Sequence, residues 1–223
     1  MSQPSHRDPR VLSYLTMRKA VGYLGILLPF VLATGNWLFF AGALQRSVSD
    51  YFYTGMRGVL VGGLCIIGAF LLAYRGDDKW ENLFTTGAGI GAVGVALFPS
   101  PPSHPTFGTA IIGYLHYASG SMLFISLTVI ALWLFRKTGA DPVRTRLKQL
   151  RSRIYLVCGI VMVTALALAG IASLPVAAGL GHLDPVFWLE STAIAAFSIS
   201  WLVKGQAILR DRRPLPGGPF LRT

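Results

Sequence analysis

Six apolar runs, near 20–44, 51–74, 83–98, 108–135, 154–174 and 185–209, take up most of the 223-residue sequence. A helix needs about 20 mostly apolar residues to cross the hydrocarbon core of a bilayer, and this repetition constrains the fold more than any other feature. Period-two alternation is absent, so a closed barrel is excluded and helices are the spanning form. Composition agrees: 53% of residues are hydrophobic and only 13% charged, against roughly 25% charged in soluble domains. The sequence predicts an all-α integral membrane bundle of six transmembrane helices. It divides into a tail over 1–19, a six-helix domain over 20–209 and a second tail over 210–223.

Charge placement gives the expected orientation. Of the 20 Lys and Arg residues, all but Arg46 and Arg57 fall in the N-terminal tail, in the loops after the second and fourth runs, or at the C-terminal end from Lys204 onward. The positive-inside rule assigns that side to the cytoplasm, with both termini inside. This is the arrangement of a bacterial cytoplasmic membrane protein. The net charge of +11 therefore reads as a topology signal and not as a nucleic-acid surface. The basic stretch 136–153, with Leu147, Leu150 and Ile154 at helical spacing, would also meet anionic headgroups of membrane lipids. The first run is too long for a cleaved signal peptide and reads as a retained helix. Pro29 inside it predicts a kink.

Polar chemistry gathers on the other face. At 1.5 Å per residue, Asn36, Arg57, His116 and Glu190 lie about 8–12 Å below the outer boundary on four different runs. A charge at that depth is costly unless paired, so Arg57 and Glu190 are expected to form an ion pair, with His116 and Asn36 beside them. In the segment SVSDYFYT (47–54), Ser47, Ser49, Asp50 and Thr54 would cap the entry to the second helix or line the mouth of the same pocket. The inner halves of the runs show no comparable charges, which favours a pocket over a through-path. His104, His116 and His182 with a carboxylate would suit zinc, but no close ligand pair such as HxxxH is present. Cys65 and Cys158 read as buried thiols.

Glycine motifs read as packing faces. Gly89, Gly91 and Gly94 spell GxGxxG, but they lie in an apolar run with no preceding strand, so a dinucleotide site is excluded. Gly87-x-x-x-Gly91 and Gly58-x-x-x-Gly62 are instead expected to pack closely against other helices, within one chain or between two copies.

Three stretches carry a family resemblance. SVSDYFYTGMR between the first two helices, LHYASGSMLF around His116 and FWLESTAIAAFSISWL around Glu190 resemble the Frag1/DRAM/Sfk1 family of six-helix membrane proteins. That resemblance implies a role in lipid-anchor or phosphoinositide handling and points to Asp50, His116 and Glu190. Ser49, Asp50 and His116 are also similar to part of the polar set of the CREST superfamily of metal-dependent membrane hydrolases, although the terminal paired His of that set is missing here. The expected function is to bind or modify a lipid-like molecule in an outward-opening pocket. Arg57 would hold an anionic headgroup, Asn36, Ser49 and Tyr53 would line the site, and His116, Glu190 and Asp50 would act if there is chemistry. A small transporter with a His116–Glu190 proton relay, or a non-catalytic scaffold, are the alternatives.

Overall fold

The computed structural model describes residues 9–76, 78–102, 105–137, 146–174, 179 and 182–209, with side chains from Leu15 onward. Six helices make up the fold: α1 (Pro9–Phe40), α2 (Arg57–Ala73), α3 (Lys79–Leu97), α4 (Phe107–Leu132), α5 (Arg146–Ala172) and α6 (Pro185–Lys204). Short 3-10 turns cover Ser49–Tyr53 and Leu134–Arg136, and the described residues contain no strand. α1, α5, α6 and α4 with its following turn are long and apolar enough to cross a membrane; α2 is apolar but shorter.

The helices form a ring in chain order, each packed on the next, and α6 closes it against α1. The seam between α4 and α5 is thinner than those on either side of it. One end of the ring carries the segments after α1, α3 and α5, and is called here the Asp50 end. The other is the Arg18 end. Large apolar side chains such as Leu27, Phe30, Ile125, Val157 and Ile160 face outward, as expected of helices whose surroundings are themselves apolar.

Local chemistry sets the helix ends. Asp78 caps α3 by accepting from the Trp80 amide at 3.0 Å. Thr106 and Thr109 form a reciprocal capping box at the start of α4, which satisfies amides that have no partner within the helix. Pro185 opens α6, where its missing N–H costs nothing.

Several boundaries differ from the sequence expectation, and those of α1, α2 and α3 matter for the polar ends of the bundle. α1 begins at Pro9 and not near residue 20, and it ends at Phe40. It also runs through Pro29 as one continuous helix. α2 begins at Arg57, because 49–53 form a separate 3-10 turn. Ser47 accepts from the Asp50 amide and so caps that turn, while Thr54 accepts from the Met56 amide just before α2. The basic segment from Arg146 is the start of α5 and no separate surface helix. Residues 138–145 of the same loop lie outside the described residues.

Small residues fix the close seams. A Cβ on Gly91 would lie 2.6 Å from the Leu123 backbone nitrogen, so α3 and α4 touch backbone to backbone there. Gly68 and Gly89 bring α2 and α3 together in the same way. The expected packing role holds within the chain for the Gly91 motif, whereas Gly58 and Gly62 have nothing of their own chain within 4 Å of a built Cβ. Those two lie on the side of α2 turned away from its neighbours. Cys158 is buried as expected, but Cys65 is only half-buried.

Candidate functional site

A cavity of about 610 Å³ occupies the ring, lined by residues of all six helices and of the Ser49–Tyr53 turn. Most of its wall is aliphatic or aromatic, including Leu28, Leu60, Leu127 and Phe197. Polar groups enter mainly at the Asp50 end, where His116, Tyr117, Ser49 and Glu190 face it. On α4 the lining runs from His116 to Val129, about 20 Å along the helix axis. Tyr117, Ser121 and Ile125 of α4, Val163 and Gly170 of α5, and Ser173 just after it are both lining and exposed. The cavity therefore opens sideways through the thin α4–α5 seam.

The connecting segments are held by the polar side chains of this end. Glu190 accepts from the Val48 amide at 2.8 Å, tying the first connecting segment to α6. His116 is buried, and its Nδ1 lies 2.7 Å from the Phe98 carbonyl oxygen. A carbonyl can only accept, so Nδ1 carries the proton and the neutral ring keeps Nε2 as its acceptor. Asp50 accepts from the Ser100 hydroxyl at 3.0 Å, and the Tyr53 hydroxyl donates to the Ser100 carbonyl. Phe98 and Ser100 thus form the point where the first and third connections meet α4. Burial pushes the Tyr51 phenol above its usual range; burial and then the Asp50 charge do the same to Tyr53. Both remain protonated at neutral pH.

The expected Arg57–Glu190 ion pair does not form. Arg57 sits in the first turn of α2, exposed, with its guanidinium 4.0 Å above the Phe52 ring. The later start of α2 brings Arg57 up from the depth computed for it, where it needs no buried partner. Asn36 is buried but does not face the cavity. Its amide donates to the Ala43 carbonyl at 2.9 Å, and its own carbonyl accepts from Gly42, closing the sharp exit from α1. The left-handed backbone of Ala41, φ 48°, belongs to that exit. His182 is exposed, with Nδ1 3.1 Å from the Gly179 carbonyl, and His104 lies outside the described residues. Among the described residues no group of His, Cys, Asp and Glu is placed to hold a metal, so the zinc alternative has no ligand set there.

Of the residues picked from the sequence, His116, Glu190 and Ser49 share the cavity; Asp50 and Tyr53 brace its mouth through Ser100. Tyr117 was missed, although it stands beside His116 in LHYASG. The Phe98 and Ser100 carbonyls had no signal in the sequence at all.

The Arg18 end holds a buried charge within its helices, although the inner halves of the runs were expected to show none comparable. The Arg18 guanidinium donates to the Tyr74 hydroxyl, which donates in turn to the Glu81 carboxylate at 2.5 Å. Tyr74 and Glu81 are buried, and Trp201 packs against the Tyr74 ring. Sequence ranges had placed Arg18 in a tail and Glu81 in a loop. With α1 starting at Pro9 and α3 at Lys79, both lie on helices. Asp78 and Lys137 form an exposed ion pair nearby, and its lysine holds the Asp78 carboxyl below its ordinary range.

A helical ring with a side-opening apolar cavity defines the class of this protein: a small all-α bundle with four helices suited to crossing a membrane. No family model, curated protein sequence or solved structure matches the chain.

Proposed function

We propose that this chain is an integral protein of a bacterial cytoplasmic membrane, with both termini inside, that binds or modifies a lipid-like molecule from the outer side. The observation that carries the reading is the cavity itself: a largely apolar chamber with polar groups gathered at one end and a lateral opening. An amphipathic molecule has the same polarity profile. It would slide in through the α4–α5 seam, apolar part along α4, polar end against His116, Tyr117 and Glu190.

The polar end also restricts the headgroup. Among the described residues its lining offers a carboxylate, an imidazole acceptor and hydroxyls but no cation, Arg57 being outside it. A group that donates hydrogen bonds, such as a hydroxyl or an amine, suits it better than a phosphate. If a hydroxyl is activated there, His116 Nε2 is the base and the Phe98 carbonyl holds the ring in the required tautomer. The resemblance to the Frag1/DRAM/Sfk1 family rests on the same His116 and Glu190 segments and belongs to this proposal.

One observation favours a non-catalytic reading: His116 and Glu190 each already hold a backbone group of a connecting segment. A proton path has less support, because the described cavity lining includes none of Arg18, Tyr74 and Glu81.

Mass spectrometry of lipid retained by the purified full chain tests the proposal. The wild type should carry one class of amphipath near one per chain. Gly120→Phe, which fills the cavity beside α4, should lose it while keeping helical content. Retention of the same lipid by that variant, or none by the wild type, would sink the reading.

A further inference from the structure

The chamber inside the ring limits the size of what it can hold. Its volume is about 610 Å³, and a methylene takes roughly the room of a water molecule in the liquid, about 30 Å³. At that spacing the chamber has space for about 20 non-hydrogen atoms. One acyl chain with a small head has about that many, and a two-chain glycerolipid about twice as many. We propose that the occupant is a single-chain amphipath with an uncharged diol head, such as a monoacylglycerol. This occupant presupposes the lipid reading of the cavity and narrows it to one chain and one kind of head.

Length agrees with one chain laid along the ring axis. Below the polar end the α4 lining runs from Gly120 to Val129, about 14 Å at 1.5 Å per residue. A membrane acyl chain fills one leaflet, about 15 Å of hydrocarbon. The facing wall is mainly apolar here, with Leu28, Leu60, Ile67 and Phe197. A second chain stays outside only if the branch point of the lipid stays at the α4–α5 seam. The head-binding groups lie elsewhere: Ser49 belongs to the connection between α1 and α2, opposite that seam in the ring, and Glu190 stands on α6. A head drawn to them carries its branch point inside, and both chains with it.

The acceptors define the head. His116 gives its Nδ1 proton to the Phe98 carbonyl and keeps Nε2 as an acceptor. The Val48 amide occupies Glu190 Oε2, and among the described residues Oε1 accepts no hydrogen bond. Two acceptors on two helices suit two hydroxyls, each of which donates one bond. A phosphate brings only acceptors, and its charge is repelled by the carboxylate. The first connection contributes Arg46 and α2 opens on Arg57; both are exposed and outside the lining. The connections over 98–106 and 173–184 contain no Lys or Arg.

The unfolding midpoint of the full chain in phosphatidylcholine nanodiscs tests both limits. The discs would be doped with monopalmitoylglycerol, dipalmitoylglycerol or palmitoyl lysophosphatidylcholine. Monopalmitoylglycerol should give a saturable rise, and the other two none over the same range. Gly120→Phe should raise the half-saturating mole fraction about ten-fold or more, since the ring takes the place of several methylenes. Gly58→Phe, the same addition on an open face of α2, should leave it unchanged. Thr128→Phe, at the other end of the lining, serves if Gly120→Phe fails to fold. An equal rise with dipalmitoylglycerol overturns the one-chain limit, and an equal rise with the lysophospholipid overturns the head; both leave the lipid reading standing. No saturable rise with any of the three, or a monopalmitoylglycerol response unchanged in the folded lining variant, overturns the proposal. Lipid retained by the purified chain then still decides the wider reading by itself.

Discussion

The two ends of the ring use their buried polar residues differently. At the Asp50 end, side chains reach for backbone: Glu190 to the Val48 amide, His116 to the Phe98 carbonyl, Tyr53 to the Ser100 carbonyl. At the Arg18 end, side chains reach for each other, and Arg18, Tyr74 and Glu81 join three elements in one chain of hydrogen bonds. The difference follows from what each end must hold. Long connections without regular structure leave amides and carbonyls that need partners, and the buried groups of the Asp50 end supply them. The connection between α2 and α3 is short: Asn82 and Arg75 satisfy its backbone from close by, and Tyr74 and Glu81 are left to meet each other. A charged residue is therefore a poor guide to a site until its partner is known.

The largest effect should come from breaking the Arg18 end. Glu81→Gln and Arg18→Met each remove one charge of a buried network. Each is expected to lower stability in detergent by about 3 kcal/mol. The double variant should recover part of that loss, because the uncompensated charge disappears with its partner. Thermal unfolding of the four proteins in the cycle measures this; strict additivity would mean that Tyr74 does not couple them.

A smaller effect sharpens the contrast between tight and open helix faces. Gly91→Ala drives a methyl into the Leu123 backbone and should cost about 2 kcal/mol. Gly58→Ala meets open space and should be neutral or stabilising by up to about 1 kcal/mol. Equal losses from the two would show that α2 packs against something on that face.

The smallest effects are expected at the Asp50 end. In Glu190→Gln the amide oxygen can still accept from Val48, so a loss near 1 kcal/mol is expected. Arg57→Gln forfeits only an exposed stack on Phe52, about 0.5 kcal/mol. These two should add without coupling. A coupling energy between them would restore the Arg57–Glu190 pair and undo the distinction between the two ends.

How far the sequence could be read varies with the length scale of the interaction. Helix number was legible because each run carries its own hydrophobic signal over many residues. Helix starts were not: α1 takes in the basic stretch from Pro9, since Arg and Lys are good helix formers. α2 loses 51–56, where aromatic residues gave an apolar run but a 3-10 turn formed. Those few residues moved Arg57 out of the site and Arg18 and Glu81 onto helices. His116 and Glu190 were legible because a polar residue within an apolar helix is conspicuous by itself.

The sequence by itself determined six helices, the residues that interrupt them and the concentration of basic residues at alternate connections. Hydrophobic run length and charge are properties of a segment, and need no neighbour to be read. Only the tertiary structure decided that the helices close into a ring around a cavity, that the α4–α5 seam is the open one, and that Glu190 meets Val48 instead of Arg57. Partner choice depends on which atoms lie within about 3 Å of each other, and a shift of one helical turn changes every partner while leaving the hydrophobic pattern as it was.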